Sequence, residues 1–310
     1  INLLLLIRNK MKQLKFLTFA LATALTLGVA SCSDDNDEPN PNPGNENGTV
    51  NPSTVFAAGL PTQVGDAVIT KNADGLVTKI VDGDQTITFD YTPAKSRAAV
   101  NIPTDYDMTM NVEWGNDEDG VDFYIKLNKQ GFIEYAYEVD EDKVDGDTAE
   151  EWWFKYDVNG RMVEMKRTEG DNEITTVTYN AEGDIIAVKV SDDDTPNGKM
   201  QCTITYTDAS YTTAIANKSG MMLYDDSFRI DMDEMAPAYF AGLLGKGTTH
   251  LPLGATEINL REEGYKDIYA FSWTLNSNQM PTMFKASYTS YSPWTDEPYT
   301  YEEEPIEFKW

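Results

Sequence analysis

The chain has 310 residues, 41% of them hydrophobic, enough to bury a sizeable core in one large domain or two ordinary ones and too many for a disordered protein. Asp and Glu outnumber Lys and Arg 52 to 24, a formal net charge of −28, so the body repels nucleic acid and anionic lipid surfaces. The two cysteines, Cys32 and Cys202, are too few for a disulfide framework.

Residues 1–31 read as a leader and signal segment. INLLLLIRNK precedes Met11, the expected start, and from there MKQLKFLTFALATALTLGVASC combines a basic start at Lys12 and Lys15 with an apolar run from Phe16 to Val29. That run is short for a permanent membrane span and has the form of a secretory signal. Its end, Val29-Ala30-Ser31-Cys32, resembles the lipobox of bacterial lipoproteins, in which cleavage precedes a cysteine that is then acylated. The resemblance implies a membrane anchor at Cys32 and leaves Cys202 without an intramolecular partner. Residues 32–54 continue as SDDNDEPNPNPGNENGTVNP and flanking positions, nearly free of apolar side chains, so they cannot offset the entropy of ordering and form a flexible tether. Its acidic start (Ser33, Asp34, Asp35, Asn36, Asp37, Glu38) resembles the export signal of Bacteroidetes lipoproteins bound for the outer face of the outer membrane. That implies an outer-membrane lipoprotein at the cell surface; the alternative, acids that only solvate a linker, leaves a periplasm-facing protein.

Residues 55–310 read as an antiparallel β domain. A turn of one chemistry recurs at Asn72-Ala73-Asp74-Gly75, Asn128-Lys129-Gln130-Gly131, Asp157-Val158-Asn159-Gly160 and Asn180-Ala181-Glu182-Gly183, with a worn copy at Asn276-Ser277-Asn278-Gln279. An Asx side chain opening a type I turn bonds the backbone two residues on, and Gly at the fourth position takes positive φ, which makes a hairpin closed by a glycine bulge. The flanks alternate with period two: Val121, Phe123, Ile125 and Leu127 before the second turn; Ile133, Tyr135, Tyr137 and Val139 after it; and Trp152, Phe154 and Tyr156 before the third. After Gly160 and Gly183 the apolar positions (Val163, Met165; Ile186, Val188) are displaced by one relative to those after Gly131, as bulges would do. Further alternating runs include 87–91, 108–114, 200–206, 269–275 and 306–310, for about fifteen strands. The spacing predicts a mainly all-β fold: a large hairpin meander that curls into a sheet or closes as an up-and-down barrel to manage its edges.

One stretch departs from period two. DEMAPAYFAGLLGKGTTHLPLG, from Asp233 to Gly254, has an acidic start, Pro237 in the first turn, apolar Met235, Tyr239, Phe240, Leu243 and Leu244, and Gly245 as a stop. It predicts a short helix that caps or plugs the sheet. Together with LPTQVGDAVITKNADGLVTKI, the Asx-x-x-Gly hairpins and the lipobox, the segment AYFAGLLGKGTTHLP resembles Bacteroidetes lipoproteins that carry a domain of unknown function with a porin-like β fold. The resemblance covers residues 60–310 and implies an extracytoplasmic β protein with no catalytic residues to carry over.

Chemistry is sparse. The single histidine, His250, follows the helix in a Gly-Thr loop with no nucleophile elbow nearby, and Cys202 alternates with Met200 and Ile204 as a core thiol does. Paired zinc ligands are lacking, and the acidic stretches 115–122, 140–147 and 191–198 do not fit the EF-hand spacing, which makes them solvated turns ahead of weak calcium sites. No cofactor and no catalytic residue is assigned. The tail SYTSYSPWTDEPYTYEE sets Tyr291, Trp294, Tyr299 and Tyr301 among Pro, Ser and Asp; they are candidates to stack on a sugar ring, with core packing the stronger alternative. The leading expectation is a non-enzymatic, lipid-anchored binding or structural module with a glycan or surface-protein partner. Second is a barrel that carries an apolar ligand in its lumen. Third is a transmembrane barrel, suggested by the terminal Ile306, Phe308 and Trp310 and opposed by runs of about seven residues against the 9–11 needed to span.

Overall fold

The computed structural model describes residues 50–56, 58–93, 103, 105–115, 118–140, 150–168, 172–220, 228–295 and 297–310. The signal segment, Cys32 and the acidic stretch 33–38 lie outside the described residues.

Among the described residues, seventeen strands form one sheet. They are β1 (Gln63–Val64), β2 (Ala67–Lys71), β3 (Val77–Asp82), β4 (Gln85–Asp90), β5 (Met108–Trp114), β6 (Glu118–Leu127), β7 (Ile133–Asp140), β8 (Glu150–Tyr156) and β9 (Met162–Arg167). There follow β10 (Glu173–Tyr179), β11 (Ile185–Ser191), β12 (Met200–Thr205), β13 (Gly254–Asn259), β14 (Lys266–Leu275), β15 (Pro281–Tyr291), β16 (Tyr299–Glu302) and β17 (Ile306–Lys309). Each strand pairs antiparallel with the next through β15; β16 and β17 then run one after the other along β15, and β17 closes onto β1. The result is a closed antiparallel barrel with 16 positions around the ring. Closure answers the edge problem that a long meander raises.

Because the meander alternates direction, every second turn falls at the same end. The four Asx-x-x-Gly turns and the worn copy at 276–279 all lie at one rim, the hairpin rim. In each, the Asx side chain accepts two backbone N–H bonds: Asn72 from Asp74 and Leu76, Asn128 from Gln130 and Phe132, Asp157 from Asn159 and Arg161, Asn180 from Gly183 and Asp184, Asn276 from Asn278 and Met280. The fourth residue has positive φ in all five, including Gln279 at 63°. A register shift follows every one, as a glycine-bulge hairpin requires.

Those shifts correct part of the sequence reading. Ile133 is inward, but the bulge then turns Ala136 and Glu138 to the core, while Tyr135, Tyr137 and Val139 are only half-buried. After the next two hairpins Met162 and Ile185 are buried, and Val163 and Ile186, expected to share the core face, are half-buried and exposed. One residue added at the turn inverts the face for the next step of the strand.

The core is a single cluster inside the ring, contributed by the inward faces of nearly every strand. Sixteen strands enclose a lumen wider than wall side chains alone can fill. Residues 228–244, in the connection from β12 to β13, supply the difference: Phe228, Ile230, Met232, Met235, Ala238, Tyr239, Leu243 and Leu244 are buried in it. Its regular part is a 3-10 helix at Asp233–Tyr239, shorter than the helix to Gly245 expected from the sequence, because the chain turns at Gly242 and Gly245, both at positive φ. The segment is thus a plug. Phe228 packs edge-on to Phe271 of β14 at 5.5 Å, well inside the ring.

The outer face of the wall has the opposite character. Lys79, Thr88, Glu113, Lys155, Thr176, Thr203, Ser272 and Lys285 are exposed, with Val68, Ile186 and Ile268 scattered among them.

Candidate functional site: the acidic mouth and its aromatic flap

At the hairpin rim the plug is stitched to three successive turns. Ile133 N–H donates to the Leu243 carbonyl (2.9 Å), Lys246 N–H to the Gly160 carbonyl (2.9 Å), and the Thr249 hydroxyl to the Glu182 carbonyl (2.6 Å). His250 completes the seam: its backbone N–H donates to Asp184 Oδ1 (2.8 Å) and its Nδ1 pairs with Asp184 Oδ2 (2.7 Å). The only histidine therefore fastens the plug to the β10–β11 turn. From the N-terminal side, Phe56 meets Tyr239 edge-on at 5.4 Å and closes the same end.

The opposite rim is the acidic rim. It gathers the connections that contain the three acidic stretches, of which 116–117 and 141–149 lie outside the described residues. Here the strands end on inward charges in place of inward apolar residues. Asp82 follows Ile80, Arg167 follows Met165, Glu138 follows Ala136 and Glu257 follows Ala255, each by two positions and each buried. A continuous chain of ion pairs links wall and plug. Asp233 and Asp231 of the plug and Glu173 of β10 meet the Arg167 guanidinium; Lys199 bridges Glu173 and Asp192; Arg261 reaches Asp192 at 3.0 Å. Arg167 also lies 5.6 Å over the Trp152 ring, whose Nε1–H donates to Glu138 at 2.7 Å. A second tie joins Arg229 of the plug to Glu257 of β13 at 2.6 Å. Arg229 and Asp233 both hold positive φ, 58° and 41°, a backbone cost for non-glycine residues that the surrounding ion pairs sustain.

These partners decide the chemistry. Burial opposes ionisation of Asp192, yet hydrogen bonds from Thr195 and the charges of Lys199 and Arg261 hold its carboxyl below the usual range. Of the three carboxylates in the 191–198 stretch, the buried one, Asp192, is thus already satisfied by cations of the chain. Burial, then Glu257, against the pull of Arg229, pushes the Cys202 thiol up to about 12, so no thiolate is available near neutral pH. Among the described residues no group of three or more His, Cys, Asp or Glu is placed to hold a metal ion.

Above this layer the wall is uneven. β14 and β15 are long, 10 and 11 residues, and pair from Leu275↔Pro281 out to Lys266↔Tyr291. With β16 they rise past the low side, where β1 ends at Val64 and the β1–β2 turn follows. The register sorts the four aromatic candidates onto two faces. Tyr269, Tyr288 and Tyr301 are cross-strand neighbours, with ring centroids 5.5 and 5.7 Å apart, and Tyr299, two residues before Tyr301, shares their face. Tyr291 pairs with Lys266 on the opposite face, the ammonium 4.7 Å over its ring. Trp294 projects from the turn between them and is 79% exposed; Tyr299 is 62% exposed. Tyr291 is also exposed, whereas Tyr301 is half-buried against Tyr288. The four make no single platform: Tyr299 and Tyr301 flank the mouth, Trp294 crowns the flap, and Tyr291 faces away.

Sequence reasoning did not find the buried ion pairs. The available signal was a charge at the last inward position of a strand, visible for Arg167 and Glu257, but it requires knowing which face is inward after each bulge.

The fold and its site define a plugged, closed antiparallel β-barrel with an apolar interior, a polar exterior and a charged mouth. The family model described as "Domain of unknown function (DUF4595) with porin-like fold" matches residues 66–283, and the chain belongs to that family. A porin-like protein of Bacteroides uniformis has the same fold, at 16% identity and a TM-score of 0.53 over 78% of this chain and 88% of that one. A porin-like protein of Bacteroides vulgatus aligns at 12% identity and a TM-score of 0.44, over 80% of this chain and 97% of that one. No curated protein matches the sequence.

Proposed function

We propose that this is a lipid-anchored envelope protein, non-catalytic, whose barrel presents the β14–β16 flap as a binding surface for a glycan. The observation that carries the reading is the exposure of Trp294 and Tyr299 at the acidic-rim end of the long β14–β15 pair. Exposed indole and phenol rings set among Ser, Thr and Asp suit the apolar faces of sugar rings better than a flat protein contact. Anchoring rests on the lipobox at Cys32, and incorporation of labelled palmitate into the cell-made protein, lost in Cys32→Ser, is its test.

The two competing expectations are weaker. A carrier needs an open lumen, and here the chain's own plug occupies it. A transmembrane barrel needs an apolar outer band, and the outer wall is lined by Thr, Lys, Glu and Ser. For catalysis, the Cys202 thiol is buried and protonated and so offers no nucleophile. A glycan array probed with residues 50–310 is expected to select a sugar class, with Trp294→Ala abolishing the signal; binding that survives Trp294→Ala and Tyr299→Ala together would move the ligand elsewhere.

A further inference from the structure

β16 closes nothing. It pairs with β15 on one side, from Ser287↔Glu302 to Ser290↔Tyr299. On its other side the ring continues only below it: Gln63 and Val64 face Lys309 and Phe308, and the last backbone bond is Gly65 N–H to the Glu307 carbonyl at 2.7 Å. The chain then turns away at Asp66. Above that level β16 is an open strand edge beside a notch in the rim.

The pairing tells which groups are left over. Glu303 N–H donates to the Ala286 carbonyl (2.9 Å), so by antiparallel alternation Tyr301 and Tyr299 spend their backbone groups on β15, and Thr300 and Glu302 direct theirs to the open side. Among the described residues neither Thr300 nor Glu302 has a backbone partner on that side, and both are exposed. The notch is also negative. Exposed Glu302 and Glu304 belong to its wall, exposed Asp66 and Asp84 to its floor, and buried Asp82 lies beneath with Oδ1 unpaired opposite an equally unpaired Gln85 Oε1.

We propose that the open edge of β16 docks an extended, cationic polypeptide segment of a partner protein, which adds to the barrel wall as a further strand. Strand addition uses main-chain hydrogen bonds for affinity and alternate side chains for selection. Thr300 and Glu302 offer the first, and the acids of the notch supply the second by favouring Lys or Arg at alternate positions. The same acids disfavour a second copy of this chain, since two like edges would set glutamates against each other in a protein of net charge −28. The inference is independent of the glycan reading, because it uses the backbone edge and the low side of the rim, not the ring of Trp294.

The test uses the full chain and two fluorescent probes, an acetylated heptapeptide alternating Thr or Val with Lys, and its counterpart with Glu for Lys. The Lys peptide is expected to bind and the Glu peptide not to. Thr300→Pro removes an N–H that faces the open side and no bond to β15, so binding should fall at least roughly tenfold while the thermal transition stays in place. On the unmodified protein, amide exchange of Thr300 and Glu302 should be fast when free and slow with peptide, whereas Tyr301 is protected throughout; this measurement decides the matter if the proline variant does not fold. Equal binding of both peptides, binding indifferent to Thr300→Pro, or concentration-dependent self-association that protects Thr300 without peptide would each overturn the proposal.

Discussion

At the hairpin rim, five turns of one chemistry face a plug that touches three of them through backbone carbonyls and amides; at the acidic rim, wall and plug meet through buried charges. The first arrangement is local: each Asx side chain organises its own turn, and the plug finds carbonyls at Gly160 and Glu182 and an N–H at Ile133 that the turns present. The second joins wall to plug through non-local pairs, since Arg167 and Asp233 are 66 residues apart. Local chemistry degrades gracefully when one copy wears out, as at 276–279, whereas a buried ion network fails when a single partner is removed.

That contrast can be broken most directly at Arg167. Replacing it by Ala leaves Asp233, Asp231 and Glu173 facing one another, and a loss of about 3–5 kcal/mol in urea unfolding is expected. A loss below about 1 kcal/mol would mean that solvent screens the mouth and that the two rims are less different than drawn.

The next effect separates two copies of the same turn. Gly75 and Gly160 have nearly equal φ, 83° and 80°, but a Cβ at Gly75 meets nothing within 4 Å, while one at Gly160 lies 2.8 Å from Phe132 Cε2. Gly75→Ala should cost about 1 kcal/mol for the backbone alone. Gly160→Ala should cost about 2–4 kcal/mol, since overpacking adds to that strain. Equal losses would show that Phe132 of the neighbouring hairpin yields and does not press on the Gly160 turn.

Asp82 sharpens the acidic side. Burial first, then Asp66 and Asp84, raise its carboxyl from 3.8 to about 6. The folded state therefore keeps a proton that the unfolded chain has released between those values, so stability from this group is whole below about pH 4 and is lost as the pH rises through 6. Asp82→Asn should accordingly stabilise the protein at pH 7.5, by about 1 kcal/mol after allowance for solvent screening, and change nothing near pH 4. Thermal melts of both proteins at the two pH values check the sign. The smallest effect returns to the worn hairpin, where Gln279 holds φ 63° in place of glycine. Gln279→Gly should gain about 0.5–1 kcal/mol, seen as a shift in the urea midpoint.

Much of the architecture was legible because turns and alternation are short-range signals. An Asx three residues before a Gly, between runs of period two, specifies a hairpin whatever surrounds it, and four such hairpins with the worn copy at 276–279 bring their turns to one end. The acidic opening and Gly stop of 233–254 located the plug, though not its depth. The inward positions of β7 beyond Ile133 and the first ones of β9 and β11 were misjudged, though Met165 and Val188 are core as expected, because each bulge adds one residue and thereby exchanges inside for outside, a change that leaves no mark on composition. The aromatic candidates were visible as residue types, but their division between the two faces of the flap depends on the β14–β15 and β15–β16 registers.

The sequence by itself determined most of the strands and the five hairpin turns, since these depend on neighbours within a few positions. Only the tertiary structure decided that the ring closes at 16, that the lumen is filled by buried residues of 228–244, and that β16 keeps an open edge. The reason is that closure, filling and pairing are settled by contacts between residues far apart in the chain, whose free energies exist only once the wall has brought them together.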